Sequence, residues 1–288
     1  MSPKTCSPLF SGVCLIIVII SIFFISCPVS GNDEPHPCLI FDNVDEIPGY
    51  QLRNLVPWSV WERSILRNAD LYLDLDFSDP NWASHNKISY RSKFARELAF
   101  AYLITKDEKY AEKAKEALLN LGIGEQSPII RASSLTQYGL TYDWMQLYLN
   151  KEDDMKIRDN YASLADLVYL ELNSHGNNRD YIAFADYHGQ AYPNLGVAGL
   201  VLSDYTNPNS LPLSSNPDNW TKAGTDYLFV NDELHSYNLP LISFGFDEES
   251  GKSLSGAYKA YVIDDFLWWF QIYSHYYNRN IFNDYPVT

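Results

Sequence analysis

The sequence predicts an all-α protein built from antiparallel helical hairpins. Apolar residues recur at helical spacing along most of the chain, and capping residues and glycines divide the periodic segments. No segment alternates apolar and polar residues over a length convincing for a β-strand. Hydrophobic residues make up 46% of the 288 residues, so the chain can bury a sizeable core.

Two helices are predicted in the first part of the chain. The first spans about 58–75, where Trp58, Trp61 and Ile65 share one helix face. The second spans about 90–104, where Phe94 and Tyr102 lie at positions i and i+8.

A third helix is predicted to start at a capping box and to run to Leu121. Thr105 lies three residues before Glu108, the spacing at which each side chain can satisfy the other's free backbone N–H. Gly122 and Gly124 are predicted to end this helix.

The second half of the chain repeats the pattern. Asn150 is predicted to cap a helix whose first turn contains acids, and Pro193 to lie in the first turn of an apolar helix. The helices predicted here span about 132–149, 151–172, 191–202, 218–235 and 257–277.

About eight helices joined in this way could stack as an open solenoid or close into a ring. No 34-residue period recurs, which argues against a tetratricopeptide array. Closure into a ring of hairpins is the favoured prediction.

Residues 1–31 are predicted to be a signal peptide or an uncleaved N-terminal anchor, and 32–288 the folded domain. Lys4 precedes an apolar run over 13–25, and small residues follow it. In the anchor alternative, residues 9–26 would tether the chain to a membrane. Both alternatives place the protein outside the cell or at its surface.

Composition excludes several classes of function. The formal net charge is -15 and no Lys/Arg-rich run occurs, which disfavours nucleic-acid binding. No metal-ligand spacing, phosphate loop or nucleophile elbow occurs, so no metal or cofactor is expected. Three of the four cysteines lie in the leader, which leaves Cys38 without an internal disulfide partner.

Two polar segments stand out where a loop is predicted to meet a helix. The first spans 186–194 and contains Tyr187 and His188, and the second spans 246–261 and contains Tyr258. Ordinary capping and packing are the alternative interpretation of both segments. The neighbouring acids Asp264 and Asp265 are predicted to lie on a solvated helix face.

Several motifs, taken in order, resemble the helical domain of heparinase II/III and alginate lyase-type polysaccharide lyases. The resemblance covers most of residues 36–277. The matching segments are His36-Pro37-Cys38-Leu39-Ile40-Phe41, Arg96 to Tyr102, Tyr110 to Ala114, Thr141-Tyr142-Asp143-Trp144 and Glu249 to Tyr261.

The resemblance implies an incomplete (α/α) toroid that cleaves uronic-acid glycans by β-elimination. In this family a polar group neutralises the uronate carboxylate, which makes the C5 proton acidic, and a Tyr or His removes that proton. On this basis Tyr258 is expected to be the base and also to act as acid, with His188 assisting or acting as the base itself.

Substrate-binding residues are expected around this pair. Where the alginate lyase relatives have Asn before His, this chain has Tyr187, so Gln190 or Asn194 is expected to bind the carboxylate. Arg179, Tyr187 and Tyr261 are further candidates, with core packing as the alternative for both tyrosines. The basic residues Arg91, Lys93 and Arg96 are expected to share the groove with Arg179.

Three functions remain open from the sequence. The first is a polysaccharide lyase module, which in this family is completed by a downstream β-sandwich. The second is a non-catalytic glycan-binding or cell-envelope protein on the same scaffold. The third is a helical-hairpin protein-interaction module.

Overall fold

The computed structural model describes residues 38–47, 49–79, 87–121, 128–174, 183–229, 258–280 and 283. All of them belong to one compact unit, Gly31–Thr288. The described residues form eight α-helices and three short 3-10 helices, and they contain no strand, which confirms the all-α prediction for this part of the chain.

The α-helices follow one another with loops of varied length. They are α1 (Trp58–Tyr72), α2 (Lys87–Thr105), α3 (Glu108–Leu119), α4 (Pro128–Met145), α5 (Lys151–Ser174), α6 (Ala183–Val201), α7 (Pro217–Phe229) and α8 (Tyr258–Tyr276). The 3-10 helices are Val44–Glu46, Tyr50–Leu52 and Gln146–Tyr148. No described helix has the length and apolar character needed to span a membrane.

The even-numbered helices pack against each other in chain order, α2 on α4, α4 on α6 and α6 on α8. The helices α3, α5 and α7 pack on the even-numbered helices beside them. Small residues such as Ala95, Ala132 and Ala198 are completely buried, which lets the helix axes approach closely.

Helices α4 and α5 form an antiparallel hairpin. Near one end Tyr142 donates a hydrogen bond from its hydroxyl to Asp154, at 2.7 Å. At the other end Arg131 forms an ion pair with Glu171. Asn150 caps α5 as predicted, because its Oδ1 accepts the backbone N–H groups of Glu152 and Asp153.

The predicted capping box at α3 is wrong. Thr105 is the last residue of α2, and its hydroxyl donates to the Ala101 carbonyl. Asp107 caps α3 instead, by accepting the N–H of Lys109. Asp is as good an N-cap as Thr. Lys106, just before Asp107, has a positive φ of 60°, and α3 begins at Glu108, two residues after the predicted start.

The start predicted for α6 is also wrong. The helix begins at Ala183, so Pro193 is its eleventh residue and lies inside it. A proline there removes one helical N–H and crowds the carbonyl four residues earlier. That carbonyl belongs to Gly189, and Asn194 places its side-chain amide against the next one, the Gln190 carbonyl, at 2.6 Å.

The lead-in before α1 is fastened to the end of α4. The buried Asp143 carboxylate accepts the backbone N–H groups of Cys38, at 3.0 Å, and Leu39, at 3.4 Å. Phe41 stacks on Trp144, with ring centroids 6.0 Å apart. Two motifs that lie about a hundred residues apart in the sequence therefore contact each other in the fold.

Candidate functional site

Helices α6 and α8 run parallel and in register. Asn194 interacts with Asp265, the Trp269 ring packs on Gly196, and the Tyr276 hydroxyl donates to Ser203 just after α6. Residue numbers rise together along both helices, so their N-terminal ends lie at the same end of the pair. A Cβ at position 196 would lie 2.8 Å from the indole, so glycine is what allows this close approach.

Two amide side chains of α6 are buried, and one of them, Asn194, lies at this interface. Gln190 is buried, and Asn194 is completely inaccessible to solvent. The Asn194 Nδ2 donates to the Gln190 carbonyl, while the Asn194 Oδ1 has no hydrogen-bond partner. An unpaired buried acceptor is costly, so this cluster is retained at some expense of stability.

Asp265 of α8 faces these amides. The pKa of the Asp265 carboxyl is raised to about 7, chiefly by burial and also by the negative charge of Asp264, while the hydrogen bond from Asn194 opposes the shift. Asp265 can therefore gain or lose a proton near neutral pH, which is a property typical of functional carboxyl groups. Asp264, its neighbour, is exposed.

A cation from α2 reaches the same part of α8. The Arg96 guanidinium lies over the Trp268 ring, with its Cζ 5.9 Å from the ring centroid. Burial lowers the pKa of Arg96, while the carboxylates of Glu97 and Asp264 act in the opposite direction. Because an arginine starts so far above neutral pH, Arg96 keeps its charge. We call Arg96, Gln190, Asn194, Asp265 and Trp268 the polar cluster.

The structure places some of the predicted site residues and leaves others outside the described part of the chain. Gln190 and Asn194 lie in the polar cluster. The backbones of Tyr187 and His188 lie in α6, and those of Tyr258 and Tyr261 in α8, while all four side chains are outside the described residues. Arg179 is outside them as well.

The reasoning from helix entrances holds for Tyr258 and fails for His188. Tyr258 is the first residue of α8, as predicted. His188 is the sixth residue of α6, one turn beyond the entrance, because the helix starts eight residues before the predicted position.

The basic residues of α2 do not all face one groove. Arg91 is buried away from α8. It donates to the carbonyl of Phe77, between α1 and α2, and to the carbonyl of Asn120, at the end of α3. Lys93 is exposed and lies 4.0 Å from Glu97. Arg96 is therefore the one described residue of the four that reaches α8.

Comparison with protein-family models finds no match, and comparison with curated proteins finds none either.

Sequence reasoning missed Asp265 and Trp268. Asp265 was expected on a solvated face together with Asp264, but Asp264 alone is exposed. A usable signal was present, since positions 258, 261 and 265 recur at helical spacing and so share one face of α8. No group of three or more potential metal ligands occurs within the described ranges.

Proposed function

We propose that residues 32–288 form an incomplete (α/α) toroid. The ordered packing of α2, α4, α6 and α8 supports this arrangement, as does the packing of α3, α5 and α7 on these helices. The contact between Arg96 and Trp268 supports it further, because it joins the first and last of the even-numbered helices. In an open array of four helices about 10 Å apart, α2 and α8 would be too distant for two side chains to meet.

We further propose that the domain is a polysaccharide lyase module that acts on uronic-acid glycans by β-elimination, outside the cell or at its surface. The observation that carries this proposal is the polar cluster, in which the buried Asn194 amide meets Asp265 of α8 and the Arg96 cation of α2 lies over Trp268, three residues further along α8. Structure alone rarely maintains a buried amide oxygen without a partner next to a titrating carboxyl group.

The parallel register of α6 and α8 supports a shared role for His188 and Tyr258. Asn194 is paired with Asp265, so the first turns of the two helices lie at the same end. Position 258 is seven residues before Asp265 and so shares its helix face, and His188 lies about two turns before Asn194, at the matching level of α6. A substrate at this end would meet groups from both helices.

We assign each step of the β-elimination to a group near the N-terminal ends of α6 and α8. A side-chain amide such as that of Gln190 neutralises the uronate carboxylate, and the developing charge at C5 is stabilised through it. Tyr258 removes the C5 proton and returns one to the leaving oxygen, with His188 assisting. Asn194 is completely buried, so its role is to hold the Gln190 turn rather than to contact the glycan.

A tyrosine base needs a positive neighbour in this fold. Burial alone moves phenols in the wrong direction, since it raises the pKa of Tyr138 to about 12 even beside Arg91. Lowering the pKa of a tyrosine hydroxyl from about 10 to about 7 requires roughly 4 kcal/mol of stabilisation of the ionised form over the neutral form. Arg179 or a protonated His188 would supply the charge beside Tyr258.

The test uses the rise in ultraviolet absorbance from unsaturated uronate ends, with alginate, heparin and hyaluronan as substrates. His188→Ala and Tyr258→Phe should each lower the rate by a hundredfold or more, as expected for loss of a general base. Tyr148→Phe is the matched control, because that hydroxyl bonds to Glu112 on α3, away from α6 and α8, and its loss should leave the rate unchanged.

Two outcomes would overturn the assignment. Cleavage that survives both substitutions would remove His188 and Tyr258 from the mechanism. Saturable glycan binding without any unsaturated product, in a form that carries any downstream β-sandwich, would favour the non-catalytic glycan-binding function instead.

A further inference from the structure

A cluster of exposed apolar side chains precedes and opens α1. Five of the twelve most exposed large hydrophobic residues of the described chain fall between positions 52 and 61, while the others are dispersed. Val56 is 78% exposed and Leu55 59%, so these two project from the surface. We call Leu52, Leu55, Val56, Val60 and Trp61 the apolar patch.

Local hydrogen bonds hold the apolar patch together. The Leu55 N–H donates to the Leu52 carbonyl and the Ser59 N–H to the Leu55 carbonyl, both at 2.8 Å. Trp58 meets Trp61 edge to face, with centroids 4.9 Å apart, which fixes the exposed ring. The patch is therefore an ordered turn followed by the start of a helix.

The segment that carries the apolar patch is basic, although the protein as a whole is strongly acidic. Residues 51–67 contain Arg53, Arg63, Arg67 and a single acid, Glu62, whereas the whole chain has a formal net charge of -15. No carboxylate of the described residues forms an ion pair with any of the three arginines. Exposed Leu, Val and Trp beside arginines whose charge no described carboxylate neutralises are the composition of a surface that enters the interfacial region of an anionic bilayer.

We propose that the apolar patch docks the domain on the surface of an anionic lipid bilayer. In the anchor alternative for the predicted leader the chain stays at a membrane, and the patch begins 27 residues after the apolar run ends at Ile25. A two-fold contact with a second copy would bring the same three arginines together, whereas anionic lipid headgroups neutralise them. The projecting Leu55 and Val56 enter the acyl boundary, and the arginines bind the headgroup phosphates.

The experiment measures quenching of tryptophan fluorescence by lipids with brominated acyl chains. The full chain is incorporated into vesicles of phosphatidylcholine, with or without phosphatidylglycerol. Residues 1–37 contain no tryptophan, so quenching reports on the folded domain and not on the leader. We expect quenching in the anionic vesicles, and we expect it to fall in Trp61→Phe and in the double variant Leu55→Asp/Val56→Asp.

Leu147→Asp is the control, because Leu147 is 83% exposed but lies outside the patch. It should be quenched like the unmodified chain, and circular dichroism should give the same helix signal for all variants. Arg63→Glu/Arg67→Glu should lose the preference for anionic vesicles. Quenching that is equal in Trp61→Phe and the unmodified chain would overturn the proposal, as would a lipid-independent dimer abolished by Leu55→Asp/Val56→Asp.

Discussion

At the scale of single residues, Asp143 illustrates how one buried carboxylate fastens a distant segment. It is almost completely inaccessible and accepts hydrogen bonds from the N–H groups of Cys38 and Leu39. Hydrogen bonds to a charged acceptor are stronger than neutral ones, and an unmatched donor left in the interior adds its own cost.

We therefore expect Asp143→Asn to lower the free energy of unfolding by about 2–3 kcal/mol. The new amide would keep one acceptor oxygen, and its NH2 group would face the other backbone N–H. Urea unfolding followed by circular dichroism measures the change. Asp204→Asn, which removes a more exposed partner of Arg158, should cost about 1 kcal/mol or less. Equal effects of the two substitutions would contradict this role of Asp143.

The sequence indicated the two motifs that meet at Asp143 but not their contact. The helical period tells which face of α4 is apolar, and it predicted that Tyr142 and Trp144 lie in one helix. It says nothing about which distant segment covers that face. Arg91 demonstrates the same limit, since its charge suggested a groove, whereas in the fold it donates to the carbonyls of Phe77, between α1 and α2, and of Asn120, at the end of α3.

At the scale of helices, the α6–α8 interface depends on the protonation of Asp265. Its pKa is raised to about 7 in the folded protein, whereas an unfolded chain titrates near 4. A raised carboxyl pKa means that the folded state binds the proton more tightly. The stabilisation is therefore complete below about pH 4 and is lost as the pH rises towards 7.

Asp265→Asn removes this dependence. We expect the variant to exceed the unmodified chain in unfolding free energy at pH 8, by about 2–4 kcal/mol, and the difference to shrink towards pH 4.5. Isothermal urea unfolding at a series of pH values tests this expectation. Asp264→Asn, at the exposed neighbouring position, should leave the pH profile almost unchanged. If the unfolding free energies of Asp265→Asn and the unmodified chain changed with pH in parallel, the proposed role of Asp265 would be refuted.

Helices could be predicted well where the apolar period was strong and poorly where special residues intervened. The predicted bounds of α1, α2 and α8 agree with the structure to within about three residues. At α6 the polar stretch before Pro193 resembled a helix entrance, because proline favours the first turn. Packing against α4, α7 and α8 outweighs that local preference and extends the helix back to Ala183.

At the scale of the whole domain, the order of helix contacts follows from chain connectivity, but closure does not. Consecutive helices pack near each other, which makes each even-numbered helix the neighbour of the next one. Whether the first meets the last depends on a small rotation at every step, which no local pattern records. The contact between Arg96 of α2 and the Trp268 ring of α8, with the Arg96 Cζ 5.9 Å from the ring centroid, is the observation that supports closure into a toroid.

A double-mutant cycle measures this contact directly. Arg96→Met and Trp268→Leu keep most of the buried volume while removing the cation and the ring. If α2 and α8 meet in solution, the two changes should be non-additive by about 1 kcal/mol, as expected for a half-buried cation–π pair. Lys93→Met combined with Trp268→Leu is the control, since Lys93 pairs with Glu97 and should couple to Trp268 by less than about 0.5 kcal/mol. Additive effects in the Arg96 cycle would mean an open array, and the proposed toroid would then have to be abandoned.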